Sequence, residues 1–539
     1  MLKFLENNFL LNVFQKTNKI SSRQDILDMS EKNKKLIKLG VFILLLAWLG
    51  FLMAEKIDLV TADLGRHIKN GEWMVNSGFN LQDKNSPLFK NFYSYTNQDF
   101  PVVNHHWGSG VVFYWLYKIA GFSGLSVFYI LLSIASFGIF FVIAKRESNF
   151  TVAAVVSILL IPLMAERREI RPEVFSCFFA AFFLWTLWSW QKKELSSSRL
   201  YVLPLLMVLW VNTHVYFFLG LFLIGTYWIV ELAQFLFAKL SDEEFLEKVR
   251  GAKNLTVALV LSILAALLNP FGWRGLVYPL EIFKNYGYTI VENKSVWFVE
   301  NYGIVNSNFM LTKAVLVMMI LSFVLIFAIS RKKLSVPYLI FAIFFGVTGW
   351  MAIRNFTLLG FFVLPIIAAN FENIFTPGRK DNVPAKENGI AVAFIAIAVL
   401  AIFANYKFLS LHSGDRGIGL SLGNEAAAEF LKSKNVSGPI FNDYDIGGYL
   451  VWNLPGNEKV FVDNRPEAYP DSFFSQVYKP MQNDPAIFEK IDQEYGFHTI
   501  VFSRNDITPW GVTFLKSIRE NKNWEKVFED NFVVVFVKK

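Results

Sequence analysis

Cysteine is almost absent from this chain: 539 residues contain Cys177 alone, inside an apolar run. That excludes a disulfide framework and a thiolate metal site. Any segment outside a membrane must fold without covalent staples. Charge is scarce as well, at 18% Asp, Glu, Lys and Arg against 54% hydrophobic residues. Such a balance rules out the three or four soluble domains that the length alone suggests. Histidine occurs six times, and the adjacent pair His105-His106 lacks the spaced third ligand of a recognisable zinc pattern. The net charge of +8 is read as membrane orientation rather than as a nucleic-acid footprint.

What the chain does have is 56 Phe, 15 Trp and a series of apolar runs near bilayer length. Roughly 20 apolar residues cross the hydrocarbon core. The runs predict a polytopic α-helical membrane protein of about eleven spans: 39–54, 123–144, 151–165, 172–190, 200–212, 215–238, 254–268, 309–330, 335–353, 356–372 and 388–404. Residues 1–38 form a cytoplasmic amphipathic segment rather than a cleaved signal, because no apolar core with a small-residue cleavage site is present. Residues 107–120 are short and end near Lys118, which predicts an interfacial helix.

With the N-terminus inside, the inner loops 145–150, 191–199, 239–253, 331–334 and 373–387 are all basic, as the positive-inside rule requires. The unusual polar residues then collect on the outer face, in a first loop 55–122, a loop 269–308 and the short turns between other spans. The first loop carries Asp63, Arg66, His67, Glu72, His105 and His106. Arg66 and His67 follow Asp63 at helical spacing, so they share its face. A neighbouring cation predicts an ionised aspartate able to accept a proton. The turn ERREIRP adds Arg168, Glu169 and Arg171, an arginine density suited to a phosphate or diphosphate. Asn212 and His214 at a tight hairpin, with Arg274 and Arg354, complete the outer set. The bland readings are a helix cap for Asp63, a solvated turn for ERREIRP, a polar hairpin for Asn212 and His214, and an interfacial belt for the tryptophans.

After the last span the composition becomes mixed. Residues 406–539 predict an α/β domain on the outer side, with helices in GNEAAAEFLKSKN, PAIFEKIDQEYG and TFLKSIRENK. Its strands are GPIFND, KVFVD and HTIVFSR, and the segments WEKVFED and NFVVVFVKK close the chain. Asp443, Asp445, Asp463 and Arg465 fall at strand ends, where either ligands or ordinary loop polarity are found. The domain has no glycine-rich phosphate loop and no nucleophile elbow.

The motifs DLGRHIKNGEW (63–73), FPVVNHHWGSG (100–110), REIRPEVFS (168–176), WVNTH (210–214), NPFGWR (269–274) and NDYDIGGYLVW (442–452) carry a resemblance across nearly the whole chain. The chain resembles the GT-C superfamily of polyprenyl-phosphate-sugar-dependent glycosyltransferases. Within it, the chain is similar to bacterial proteins resembling the protein O-mannosyltransferases and the lipid A aminoarabinose transferases. The resemblance implies that an acidic residue of the first outer loop, here Asp63, is the general base. It also implies that arginines, here Arg168, Arg171 and Arg274, bind the lipid phosphate. Many relatives carry a paired acidic motif, whereas Thr61 and Ala62 precede Asp63 here. That departure argues against a divalent cation and leaves Glu72 or Glu169 as a second carboxylate. The expectation is transfer of a sugar from a polyprenyl-phosphate carrier to a glycan, lipid or protein acceptor, with inversion, at the outer face of a bacterial cytoplasmic membrane. Its alternatives are a non-catalytic flippase or binding protein for lipid-linked glycans, and a member whose outer domain is the working part.

Overall fold

The computed structural model describes residues 23–237, 242–281, 284, 286–329, 334–375, 415–434, 438–455 and 458–539. Eleven helices build the membrane part: α1 (Arg23–Met53), α2 (Leu64–Asn76), α3 (Trp107–Glu147), α4 (Phe150–Met164), α5 (Glu173–Gln191), α6 (Val202–Thr213), α7 (Phe218–Phe237), α8 (Asp242–Ala266), α9 (Ser307–Ile329), α10 (Val336–Met351) and α11 (Phe356–Phe375). Among the described residues seven segments are long and apolar enough to cross a membrane, and α4 and α10 are shorter apolar helices. Ten of the expected spans coincide with helices of this set. The eleventh, 388–404, lies outside the described residues, as do residues 1–22 and most of the loop 373–387.

One expectation changes. The segment 239–253 was expected as an inner loop, yet α8 begins at Asp242 and runs unbroken into the apolar stretch. Phe245, Leu246 and Val249 recur at helical spacing within that charged run, so helix propensity and periodicity carry it through. Residues 107–120 form a helical arm of their own, as expected, separated from the following span by a sharp kink at Gly121 (φ 61°, ψ −161°). That conformation is essentially restricted to glycine, and it sets the 107–120 arm at an angle to the rest of α3.

The bundle closes around α11, the most buried of the long apolar helices, which packs against α3, α4, α9 and α10. Phenylalanine supplies the contacts: Phe345 stacks on Phe362 at 3.8 Å and Phe222 on Phe344 at 4.2 Å. Each such ring buries a large apolar area and adds a geometric preference of its own.

The arm of α3 crosses α2 at backbone contact. A Cβ on Gly71 would lie 2.0 Å from the Gly110 carbonyl oxygen, and one on Gly110 would lie 2.7 Å from that of His67. Glycine at both positions is what lets the two helices touch, and this crossing sets His67 beside His106.

The C-terminal part holds α12 (Ala426–Ser433), α13 (Gly447–Asn453), α14 (Pro485–Tyr495) and α15 (Pro509–Glu520) with four strands. The strands β1 (Ile440–Asn442), β2 (Thr499–Ser503), β3 (Trp524–Glu529) and β4 (Val533–Lys538) form a sheet in the order β1-β2-β4-β3. The first pair is parallel and the other two antiparallel. The predicted strand KVFVD does not join this sheet. The Asn442 side chain takes the place of a ladder partner there, accepting from Phe461 N at 2.9 Å and donating to the Val462 carbonyl at 2.7 Å. The opposite edge pairs instead with the first outer loop, where Val460 N donates to the Tyr93 carbonyl and Tyr95 N to the Val460 carbonyl. The C-terminal part is thereby fastened over α2.

Candidate active site

Asp63 precedes the first turn of α2, the position of a helix cap, but its side chain makes no capping hydrogen bond. Its carboxylate is directed elsewhere. It accepts a hydrogen bond from the Asn464 amide, lies 3.7 Å from the Arg66 guanidinium and 3.9 Å from that of Arg171. Burial pushes the Asp63 carboxyl above the ordinary aspartate range, outweighing Arg171 and Arg66. The sequence expectation of a low value is thus reversed: desolvation of the charged form exceeds the attraction of two cations.

Arg171 links Asp63 to a wider network. It pairs with Glu169 at 2.6 Å and with Glu292 at 3.4 Å. Glu292 pairs with Arg167 at 2.8 Å, and Arg167 with Glu173 at 3.0 Å. Arg354 closes the chain, donating to Glu173 at 2.7 Å and to Asn293 Oδ1 at 2.8 Å. Burial opposes the charge on Glu292, but Arg167 and Arg171 hold its carboxyl down at about 2. Carboxylates Glu292, Glu169 and Asp63 likewise keep buried Arg171 charged. Arg168 turns the other way and pairs with Glu55 at 2.7 Å.

The network lines a polar cavity of about 180 Å³ bounded by Arg167, Arg168, Arg354, Glu55, Glu169 and Glu292. Arg167 and Arg354 also line a second, small cavity of about 20 Å³, whose other walls include Met53, Met164, Val174, Leu358 and Phe361. A charged compartment and an apolar one therefore share two guanidinium groups.

On the α3 side, three imidazoles are in ring contact around His106: His105 at 3.7 Å, His67 at 5.2 Å and His214 at 5.4 Å. Burial lowers all four, His105 to about 4 and His214 to about 3, so they are neutral at pH 7. The tautomer of His214 follows from its partners. Tyr216 N donates to His214 Nδ1, so that nitrogen is an acceptor and the Ser176 hydroxyl, which accepts from Trp210 Nε1 at 2.7 Å, donates to it, also at 2.7 Å. The proton of His214 is then on Nε2, which makes that nitrogen a donor.

Asn212 is used within the fold. It accepts from Trp107 Nε1 at 2.9 Å and donates to the carbonyls of Val208 and Leu268, each at 2.8 Å. It clips the start of α3 to α6 and to the end of α8. Arg274 is exposed on the short helix Trp273–Val277 and makes no ion pair among the described residues. Glu72 pairs with Lys69 at 2.8 Å. Arg167, Glu173, Glu292 and Asn464 escaped the sequence reading. Arg167 alone carried a signal, as one of three arginines in ERREIRP.

Among the described residues no group of three or more His, Cys, Asp or Glu side chains is placed to hold a metal ion. The carboxylates around Asp63 are each matched by an arginine, and that donor set does not fit a divalent cation.

No family sequence model and no curated protein sequence matches the chain. Solved structures do. The archaeal oligosaccharyltransferase AglB from Archaeoglobus fulgidus, in complex with an inhibitory peptide and a dolichol-phosphate, aligns with a TM-score of 0.57 at 13% identity, covering 87% of this chain and 70% of that one. ArnT from Cupriavidus metallidurans aligns with a TM-score of 0.52 at 11% identity, covering 92% and 97%. Its fold is GT-C. The mycobacterial arabinofuranosyltransferase AftD matches at a TM-score of 0.52 and 15% identity over 93% of this chain and 41% of its own. At these identities the likeness carries the GT-C architecture of a multi-pass membrane protein, and the chemistry has to be argued from the site.

Proposed function

We propose that this GT-C protein is a glycosyltransferase that moves a sugar from a polyprenyl-phosphate carrier to an acceptor hydroxyl at the outer face of the cytoplasmic membrane. The observation that carries the reading is the pair of cavities sharing Arg167 and Arg354. A phosphate ester of a long prenyl chain is an anion joined to a hydrocarbon. The charged compartment suits the anion, and the small apolar one among α1, α3, α4, α5 and α11 sets hydrocarbon walls against the same two guanidinium groups, where the prenyl chain would begin. Guanidinium groups bind phosphate oxygens in a bidentate fork and neutralise charge as it develops on the leaving phosphate.

Asp63 is the general base. Its carboxylate takes the proton of the acceptor hydroxyl as the oxygen attacks the anomeric carbon, while the carbon–oxygen bond to the phosphate breaks. In-line attack inverts the anomeric centre and releases polyprenyl phosphate. The raised affinity of Asp63 for a proton makes it a stronger base than an aspartate in water. Neutral His67, His105, His106 and His214 offer hydrogen-bond donors and acceptors to sugar hydroxyls without adding charge.

The reading is tested by the lipid that accompanies the purified protein. Wild-type protein in nanodiscs is expected to retain added undecaprenyl phosphate by native mass spectrometry. Replacing both Arg167 and Arg354 by Gln should lower that retention at least ~10-fold, since each charged hydrogen bond lost is worth on the order of 1.5–3 kcal/mol. Equal retention by wild type and the double variant, both folded, removes the argument for the carrier.

A further inference from the structure

The segment Asp463–Arg465 of the C-terminal part is the least expected neighbour of the site. It is held from both sides. Asp463 and Arg465 form a buried ion pair at 2.5 Å, and Arg465 Nη2 also donates to Asn91 Oδ1 at 3.1 Å. Asp463 N donates to the Tyr469 hydroxyl at 2.8 Å. Ser94 and Thr96 of the first outer loop donate to the Phe461 carbonyl at 2.9 and 3.0 Å. Between these anchors Asn464 projects to the start of α2.

Its amide has one orientation available. Asn464 Oδ1 accepts from Arg66 Nε at 3.1 Å, so Nδ2 is the end that meets Asp63, donating to Oδ1. The approach depends on two glycines. A Cβ on Gly65 would lie 2.8 Å from the Gly448 carbonyl oxygen. One on Gly448 would lie 2.9 Å from Asn464 Nδ2 and 3.3 Å from the Ala62 carbonyl oxygen. Helices α2 and α13 thus meet backbone to backbone beside the bond.

We propose that Asn464 is a positioning residue for Asp63, through which the C-terminal part fixes the rotamer of the base and favours its ionised form. The proposal rests on the reading of Asp63 as the base. An N–H donor stabilises a carboxylate more than a carboxylic acid, and the same bond prevents the Asp63 side chain from turning to cap α2. Arg66 and Arg171 supply charge at 3.7 and 3.9 Å without hydrogen-bond contact, so the direction of the carboxylate is set by Asn464.

Two variants test this in the full-length protein. Asn464→Ala removes the donor. Gly448→Ala keeps the amide but displaces it, and serves if the first variant misfolds. Two readouts are taken: the pH profile of sugar transfer, and the pH dependence of Asp63 labelling by dicyclohexylcarbodiimide, which reacts with the protonated carboxyl and is read by peptide mass spectrometry. The expected result is an upward move of both midpoints by about one pH unit or more, with kcat reduced at neutral pH and KM for the donor unchanged. A lowered melting temperature with neither midpoint moved means a merely structural contact and overturns the proposal. If wild type shows no transfer while the labelling midpoint still moves, the glycosyltransferase reading fails and the positioning role stands.

Discussion

A carboxyl buried beside two arginines is a balance between desolvation and attraction, and at Asp63 desolvation wins. The ionised form that accepts a proton is therefore populated only above a pH higher than an ordinary aspartate requires. Transfer should rise with pH along an acid limb whose midpoint lies above the usual value of about 3.9, measured as kcat against pH with saturating donor. A limb at or below that value contradicts the burial argument. The position of Asp63 was legible because Arg66 and His67 follow at i+3 and i+4. Its affinity for protons was not, since burial depends on Asn464, 401 residues away. Glu173 and Glu292 were hidden for the same reason: no local spacing joins a carboxylate at the head of α5 to one in the loop before α9.

At the scale of elements, the apolar runs were sufficient to place the helices, because helical period and bilayer length are both written into composition. Crossings are less visible. Gly71 and Gly110 look like helix-weakening residues in sequence, yet they are the contact between α2 and the arm of α3. A methyl at Gly110 has no room against the His67 carbonyl oxygen, and overpacking of this kind costs about 1–3 kcal/mol. Gly110→Ala should lower the melting temperature and reduce transfer by displacing His67 from His106. Gly138→Ala, where a Cβ meets nothing within 4 Å, is the control and should leave both unchanged. Unaltered stability in Gly110→Ala means that the two helices do not touch. KVFVD illustrates the opposite failure. Its alternation reads as a sheet strand, but the Asn442 side chain occupies the ladder and the segment pairs with residues 93–95 instead.

For the molecule as a whole, the GT-C fold brings two regions remote in the chain together at Asp63. The bundle contributes Arg171, and the C-terminal part lies across α2 with Asn464 bonded to the Asp63 carboxylate. The domain division 1–38, 39–405 and 406–539 follows composition, but the site crosses the boundary between 405 and 406: Asp63 and Arg66 come from before it and Asn464 from after it. The central claim is that Asp63 performs chemistry and does not merely support this contact. Because ionised Asp63 has a raised proton affinity in the folded state, its charge costs stability at neutral pH. An Asp63→Asn variant should accordingly melt no lower than wild type and retain undecaprenyl phosphate. The decisive measurement is sugar transfer from polyprenyl-phosphate donors by the two proteins at matched expression. A loss of about 10²-fold or more in Asp63→Asn is the predicted result, and full activity in that variant would contradict the account.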